Sequence, residues 1–414
     1  MTEQKNLKDV RINNRANVLQ MICEHPGLTR QDISNRLGLS KMSVVNIITE
    51  YAEKGYVQEQ VETPLHFNYK TAGRPSLRVS IVDNSVIVLG IFVSEMELTC
   101  SLINLRCEML VSRSITPSTH ENNAQLLKKL DQVIDQVICD GQAYMDHLQG
   151  IGIAAVGLID ARGGRIIAAE NYPNVHDLPI VDYYNQRFQL PVVIANDMDA
   201  SAIAERHFGH AIDAKNFIYI GVNSCIGLGI YINNEIFTGS NGFAGEIGFT
   251  TIDYTGKPSP FGYPGRLESF VAINKYVKKV NRDLKREVPG MPAFSERPVK
   301  WMDIALKARE GDPYCLEIVH AIGNYLAIAT ANVINLFDPE KIIIGGLIAL
   351  AGQQMIDHIA QQIEGKTVCS HFHEHLSREQ QQSISLSAFV DRSAVAGAGA
   401  IVFDAIFQGK LCLL

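Results

Sequence analysis

Long apolar segments are absent from this 414-residue sequence, since no run approaches the roughly 18 residues that a membrane-spanning helix needs. The first residues, MTEQKNLKDVRINNR, carry charges without an apolar stretch behind them, so a secretory signal is not expected. The eight cysteines are scattered and form no CxxC pair, which favours buried, reduced thiols over a disulfide framework. These absences predict a cytoplasmic protein.

The composition is that of a globular protein with unevenly distributed charge. Hydrophobic residues make up 46% and charged residues 20% of the chain, and its length suggests two or three domains. Residues 1–80 hold 11 Lys and Arg against 8 Asp and Glu, a net charge of +3, whereas the remainder has a net charge of −10. A basic head on an acidic body is a mild indication that the head binds nucleic acid.

Three helices are predicted within the first 55 residues. Apolar residues at helical spacing predict the first over Ala16–Cys23. Thr29 and Asp32 have the spacing of a capping box for a second helix, which ends at Gly38. Ser40 can cap a third helix that runs to about residue 54, and its predicted inward-facing residues are Val44, Val45, Ile48 and Tyr51.

A winged helix-turn-helix is indicated by the short turn at residues 38–40 and by two strand-like segments at 56–61 and 76–82. In that fold the third helix is the recognition helix, and its exposed early residues are Lys41, Met42, Ser43 and Asn46. Asn suits adenine, Lys suits guanine or phosphate, and Ser suits either. The alternative is a three-helix module whose polar face binds another protein.

The segment between the two strands ends in Gly73-Arg74-Pro75. Glycine lacks side-chain bulk and proline fixes an extended backbone, so Arg74 could enter an A·T-rich minor groove. A turn with a solvated arginine is the alternative. Beside a helix-turn-helix, we favour the groove contact.

Residues 83–414 alternate apolar strands with helical segments, which predicts an α/β architecture. Strands are predicted at 86–93, 98–105, 109–115, 151–156, 192–194, 217–222, 228–232 and 342–344. Helices are predicted at 123–139 and 199–207.

Six segments of this body, in order, resemble the ROK family (repressor, ORF, kinase) of actin-like sugar kinases, and head and body together resemble its repressors of glucose, N-acetylglucosamine and xylose genes. The segments are Gly152–Asp160, Pro191–Asp197, Gly227–Asn234, Gly242–Gly248, Gly265–Glu268 and Asn332–Gly346. The resemblance implies a winged helix-turn-helix joined to a two-lobed sugar-kinase fold. It implies domains at 1–82 (head), 83–195 with a carboxyl-terminal helix at 391–408 (small lobe), and 196–390 (large lobe).

The resemblance also implies a sugar site formed by Asn196, Asp197, Glu246 and Glu268. In the family's kinases the Asn and Asp hydrogen-bond sugar hydroxyls, and the Asp is the general base. An Asn with three carboxylates is a reasonable polyol-binding set, placed where an α/β fold binds ligands. The alternative for Asp197 is that it only caps a helix starting near Asp199.

The family's nucleotide and zinc positions are altered in this sequence. Phe92 and Ser94 stand where the kinases have the Asp and Gly of an Asp-x-Gly motif, and Cys225 replaces a glycine of the second phosphate segment. Phe249 stands at the family's zinc-binding His, which also contacts sugar, and Ser259, Phe261 and Arg266 stand at its three Cys positions. We therefore expect no metal, no cofactor and no phosphoryl transfer, with Asp197 a vestigial base.

The sequence thus favours a homo-oligomeric (dimeric or tetrameric) regulator, a repressor or an activator, that binds a double-stranded operator at paired half-sites. A sugar or related effector would favour one interlobe arrangement and so change operator affinity by linkage. Two alternatives stay open. One is an active sugar kinase with a regulatory head, and the other is a regulator controlled by a protein partner such as a sugar-transport protein.

Overall fold

The computed structural model describes residues 7–61, 77–118, 120–169, 172–255, 264–295, 297–371 and 383–413. The chain divides into two compact units, one of residues 1–196 and 395–414 and the other of residues 197–394. The chain therefore passes between units twice, at Asn196–Asp197 and at Ala394–Val395. The domain boundaries expected at residues 82, 195 and 390 remain predictions.

The first unit begins with the head, a three-helix bundle with a two-stranded ribbon. Its elements are α1 (Leu7–Glu24), α2 (Arg30–Leu37), α3 (Lys41–Glu53), β1 (Val57–Val61) and β2 (Leu77–Ile81). The strands are antiparallel, with Val57 opposite Ile81. Each element contributes to one small core, whose fully buried members include Val18, Leu19, Ile22, Ile33, Val44, Ile48 and Val79.

The apolar face of α3 differs by one residue from the predicted face. Val44, Ile47, Ile48 and Tyr51 are buried, whereas Val45 is only half-buried. The prediction for Val45 was wrong because positions i, i+3, i+4 and i+7 share one face of a helix and position i+1 does not.

A five-stranded sheet follows, in the order β10-β6-β3-β4-β5. The meander β3 (Ile87–Val93), β4 (Leu98–Asn104) and β5 (Met109–Ile115) is antiparallel, whereas β6 (Leu148–Ala155) and β10 (Val192–Asn196) are parallel to β3. Helices α4 (Asn123–Asp140) and α5 (Ile180–Phe188) contribute to its core. A small antiparallel sheet that sequence patterns did not predict comprises β7 (Leu158–Asp160), β8 (Arg165–Ala169) and β9 (Tyr172–Leu178).

Helix α13 (Ser393–Phe407) returns the chain to the first unit and packs directly on strand backbone. A Cβ on Gly152 of β6 would lie 1.7 Å from the carbonyl oxygen of Ala398, and one on Gly90 of β3 would lie 3.3 Å from the amide nitrogen of Gly399. Glycine at these strand positions allows the helix backbone to approach the sheet closely.

The second unit has its own five-stranded sheet, in the order β13-β12-β11-β14-β15. Its strands are β11 (Phe217–Val222), β12 (Ile226–Ile232), β13 (Glu235–Ile236), β14 (Lys341–Gly345) and β15 (Ser383–Leu386). Its helices are α6 (Asp197–Phe208), α7 (Glu268–Val271), α8 (Ile273–Lys285), α9 (Trp301–Arg309), α10 (Pro313–Phe337), α11 (Gln353–Ile363) and α12 (Val368–His371). Strands β11, β14 and β15 are parallel to one another. The core of this unit contains the single tryptophan of the chain, Trp301.

The expectation that all cysteines are buried was wrong for Cys139 and Cys412, which are exposed. Cys139 lies two residues beyond Val137, the last residue of the buried stripe of α4, and a step of two residues turns a helix to its opposite side. Among the described helices, none is long and apolar enough to cross a membrane.

Candidate functional sites

The amino-terminal turn of α3 presents the predicted recognition residues. Lys41, Met42 and Asn46 are exposed, and Met42 has 68% of its surface accessible. Ser43 is half-buried and belongs to the cap, since its amide donates to the hydroxyl of Ser40 at 3.1 Å and the two hydroxyls lie 2.8 Å apart. The turn therefore exposes a cation, a thioether and an amide, while the fourth predicted side chain contacts the helix cap.

Helix α2, which leads into the turn before α3, has the predicted capping chemistry at both ends. Thr29 and Asp32 form a reciprocal capping box, and the bonds from Thr29 lower the pKa of the Asp32 carboxyl. Gly38 ends α2 at φ 64°, a left-handed conformation that glycine adopts without steric cost. These local features set where α2 begins and ends, and so where the turn to α3 lies.

Two charged pairs attach the helices of the head to each other and to the ribbon. The Arg15 guanidinium of α1 contacts the Glu50 carboxylate of α3 through two nitrogens, at 2.6 and 3.0 Å. Arg30 of α2 forms a two-pronged pair with Glu59 of β1, both bonds 2.7 Å long. The hydroxyl of Tyr51 also donates to the Arg15 carbonyl. Sequence reasoning missed these contacts, because the partners lie 29 to 36 residues apart in the chain. Arg74 lies outside the described residues, so its predicted groove contact stays a prediction.

The predicted sugar-site residues of the second unit begin with Asp197, the first residue of α6. Asp197 is only 3% exposed, and its carbonyl accepts a bond from the Ser201 hydroxyl at 2.7 Å. Helix α6 begins at Asp197 rather than near Asp199. Asp197 is therefore a helical residue and not the cap of a helix that begins later. Asn196 ends β10 in the first unit, where its side-chain amide donates to the Gly157 carbonyl.

Glu246 and Glu268 are carried by segments that lie beside each other. Glu246 is exposed and precedes a short 3-10 turn at 247–249, and Glu268 is buried at the start of α7. A Cβ on Gly248 would lie 3.5 Å from the Cβ of Glu268, and the amide of Leu267 donates to the Thr250 carbonyl. The two acidic positions thus share one neighbourhood within the unit.

Asp199 is a third carboxyl of this neighbourhood, and the sequence did not single it out. It is half-buried, and burial together with the nearby charge of Glu246 raises its pKa to about 7. Asp199 stands two residues after Asp197, and side chains at this spacing point in nearly opposite directions from a helix. Only the folding of the Glu246 segment against α6 reveals the pairing.

Phe249 and Arg266, at the family's zinc positions, contact each other. The Arg266 guanidinium lies 4.4 Å from the centre of the Phe249 ring, and backbone pairing of Thr251 with Arg266 joins the two segments. Such a cation–π contact is worth about 0.5–1 kcal/mol at an exposed site. Ser259 and Phe261 lie outside the described residues. In the described part of the chain, no group of three His, Cys, Asp or Glu side chains could hold a metal ion.

The altered kinase positions take part in ordinary hairpins. Phe92 is half-buried in β3 between Thr99 and Ala154 of the neighbouring strands. Ser94 closes the turn to β4, because its hydroxyl donates to the Glu97 carbonyl and accepts from the Glu97 amide. Cys225 lies in the β11–β12 turn, where its carbonyl accepts from the Asn223 amide at 2.8 Å.

The chain is similar to known proteins over nearly its whole length. It is 26% identical over 399 residues to the xylose repressor of Caldicellulosiruptor bescii, covering 94% of this chain and 95% of that protein. The crystal structure of a ROK family transcriptional regulator, a homologue of the Escherichia coli MLC protein, superposes with a TM-score of 0.75 at 27% identity, covering 97% of each chain. A ROK family glucokinase of Streptomyces griseus shares the fold of the body, with a TM-score of 0.63 at 20% identity over 76% of this chain and 98% of that one.

Family models match both parts of the chain. The winged helix-turn-helix DNA-binding model matches residues 13–58, and the ROK family model matches residues 88–405. The fold expected from the sequence, a winged helix-turn-helix followed by a sugar-kinase fold, is thereby confirmed. The chain belongs to the ROK family.

Proposed function

We propose that this protein is a sequence-specific DNA-binding transcriptional regulator, in the first instance a repressor, of genes for sugar uptake or catabolism. The observation that carries the proposal is the exposed turn of α3. Lys41, Met42 and Asn46 face solvent on a helix held by the Ser40 cap and the Arg15–Glu50 pair. A positioned cation and amide at the start of such a helix can read base edges in the major groove.

The DNA-binding role is tested with two matched lysine variants. Lys41→Ala removes a cation at the start of α3, and Lys54→Ala removes one at its opposite end. We expect Lys41→Ala to weaken binding to a selected operator by about tenfold, whereas Lys54→Ala leaves it near wild type. Asn46→Ala should cost about 1–3 kcal/mol and relax the preference at one base pair. Equal effects of the two lysine variants would contradict the assignment of α3.

The body, in this proposal, binds a sugar or a related polyol through Asn196, Asp197, Glu246 and Glu268. Asp197 and Glu268 are buried and Glu246 is exposed, and carboxyls of both kinds offer the acceptors that sugar hydroxyls need. D-xylose, D-glucose and N-acetyl-D-glucosamine are the first probes. A bound sugar should raise the melting temperature of the wild type and leave that of Asp197→Asn unchanged.

Phosphoryl transfer is absent in this proposal. The Phe92 ring cannot bind a metal ion or a water, and Cys225 adds a side chain where a phosphate needs backbone. A coupled ATPase assay with the same three sugars should give no rate above the protein-free control. A sugar-dependent rate abolished by Asp197→Asn would instead establish a kinase.

Control by a protein partner is the second candidate, and one observation favours it. Four aromatic side chains of the second unit are exposed between residues 237 and 254: Phe237, Phe243, Phe249 and Tyr254. Exposed aromatics are enriched at protein interfaces. If no sugar alters the melting temperature, while a sugar-transport protein retains the wild type and not a Phe243→Ser variant, this candidate replaces the sugar effector. In either case we place the regulator in the cytoplasm as a dimer or tetramer that reads paired half-sites.

A further inference from the structure

A buried polar network surrounds Glu205 of α6 in the second unit. The side chain of Glu205 is fully buried, and its carboxylate accepts bonds from the Ser387 hydroxyl at 2.5 Å and from the amides of Ala388 and His210 at 2.9 Å each. Burial raises the pKa of Glu205, and these donors oppose that rise. A buried carboxyl with this many donors is a fixed anchor rather than a mobile group.

The network continues from Ser387 to the start of α6. The hydroxyls of Ser387 and Ser393 lie 2.9 Å apart, and Ser393 also reaches the Val390 carbonyl at 2.9 Å. The hydroxyl of Tyr219, which lies in β11 and is 1% exposed, bonds both Ser393 and Ser201. Ser201 in turn reaches the carbonyl of Asp197.

The hydroxyl groups of this network have fewer protons than they have hydrogen-bond contacts. Four hydroxyls supply one proton each, and they face six contacts: three with each other and one each with Asp197, Val390 and Glu205. In any one arrangement, two of the six contacts therefore have no proton between their two oxygens. Tyr219 can donate towards Ser201 or towards Ser393, and the contact it does not serve gains a proton only if that serine turns its own proton away from its present acceptor and towards Tyr219. The chain thus has alternative proton arrangements that satisfy different ends of the network.

The two ends of the network coincide with the two points where the chain leaves the second unit. Asp197 is the first residue of the unit, and Ser393 is the last residue but one. The Tyr219 hydroxyl joins these two residues, because it bonds Ser393 directly and reaches Asp197 through the hydroxyl of Ser201. A change at Asp197 can therefore reach Ser393, the first residue of α13, without passing along the intervening sequence.

Within the first unit, α13 leads to the head. The Cys107 thiol contacts the Ala396 carbonyl, and the helix lies on the backbone of β3 and β6. Just beyond its end, a Cβ on Gly409 would lie 3.0 Å from both Ile12 and Asn13 of α1. The next residues of α1 include Arg15, which pairs with Glu50 of α3. Packed contacts therefore run from α13 to the recognition helix.

We propose that Tyr219 is a positioning residue that couples occupation of the Asp197 site to operator affinity through Ser393 and α13. The inference rests on the proposed function. The network reaches Asp197 at its main-chain carbonyl, and the charge of its carboxyl also acts on Tyr219. A ligand that bonds this carboxyl therefore favours one proton arrangement of the network, and the start of α13 responds at Ser393. Coupling through an element with two arrangements is the physical requirement for linkage between distant sites.

The test uses Tyr219→Phe in the full chain, with Tyr231→Phe as the matched control. Tyr231 lies in the neighbouring strand β12, and its hydroxyl donates to the Asn234 carbonyl in the next turn. Hydrogen exchange followed by mass spectrometry reads every segment without a ligand. We expect amides in the first turn of α13 and in α1 to exchange about fivefold faster in Tyr219→Phe, and its affinity for an operator fragment to change by a similar factor. Tyr231→Phe should change neither.

A purely structural role of Tyr219 would give a different result. Exchange would then rise only around residues 197–205 and 217–222, with α1 and operator affinity unchanged, and the proposal would be overturned. If Tyr219→Phe does not fold, Ser393→Ala removes the hydroxyl at the other end and should give the same response in α1, which Ser393→Thr should restore. Failure of the wild type to bind any DNA would refute the proposed function, whereas the exchange in α1 would still decide the coupling.

Discussion

Replacing Asp199 by asparagine should remove a pH-dependent loss of stability from the second unit. Asp199 has a pKa of about 7 in the folded chain, because burial and the Glu246 charge oppose its ionisation, against 3.8 as its ordinary value. The folded state therefore holds the proton more tightly than the unfolded state does. The contribution of Asp199 to stability is complete below about pH 4 and is lost as the pH rises to about 7.

The magnitude follows from the two pKa values. For a shift from 3.8 to about 7, linkage gives a loss of about 2 kcal/mol in the free energy of unfolding between pH 5 and pH 7. Asp199 retains contact with solvent, which screens the Glu246 charge, so we expect about 1–2 kcal/mol. Asn at this position does not titrate, and the variant should gain this amount relative to the wild type over the same pH interval.

The assay is urea unfolding at pH 5, 6 and 7, followed by the fluorescence of Trp301. This single tryptophan is 4% exposed, donates to the Leu347 carbonyl, and lies in the same unit as Asp199. Asp146→Asn, at an exposed position of the first unit, is the control for adding an amide. If the free energies of unfolding of the wild type and of Asp199→Asn change equally between pH 5 and pH 7, the reasoning about the carboxyl pair is refuted.

Three further substitutions test the packing of α13, the cap of α2 and a buried hydrogen bond to Glu205. Gly152→Ala places a Cβ 1.7 Å from the Ala398 carbonyl oxygen, so it should lower the free energy of unfolding by about 3 kcal/mol and with it the melting temperature. An unchanged melting temperature would show that α13 does not pack on β6. Thr29→Ala removes the acceptor of the α2 capping box and should cost about 1 kcal/mol, seen as about fivefold faster hydrogen exchange in α2; protection equal to wild type would contradict the role of the cap. Ser387→Ala removes one donor to the buried Glu205 and should cost about 1–3 kcal/mol in urea unfolding read from the same tryptophan; no loss would mean that the carboxyl does not depend on that bond.

The head could be predicted from the sequence because its signals are local. Thr29 and Asp32, Gly38 and Ser40 each act within four residues, so spacing alone identifies the caps and the turn. The pairs that fix α3, Arg15 with Glu50 and Arg30 with Glu59, join residues far apart in the chain and leave no local pattern.

The body was predicted in outline, and its omissions have physical causes. The sheet of β7, β8 and β9 was missed because β7 and β8 are short, and because β9 buries every third residue instead of alternating between buried and exposed residues. Helix α10 was missed because its apolar residues occupy most of its circumference, which weakens helical periodicity. Asp199 was missed because its partner, Glu246, lies on another segment.

The most direct test of the account is selection of genomic DNA fragments by the purified protein, followed by sequencing and a salt-titrated gel shift. The account predicts an enriched inverted repeat beside sugar-uptake or catabolic genes, bound far more tightly than random DNA at physiological salt. Binding that depends steeply on salt but enriches no sequence, or no binding at all, would contradict it.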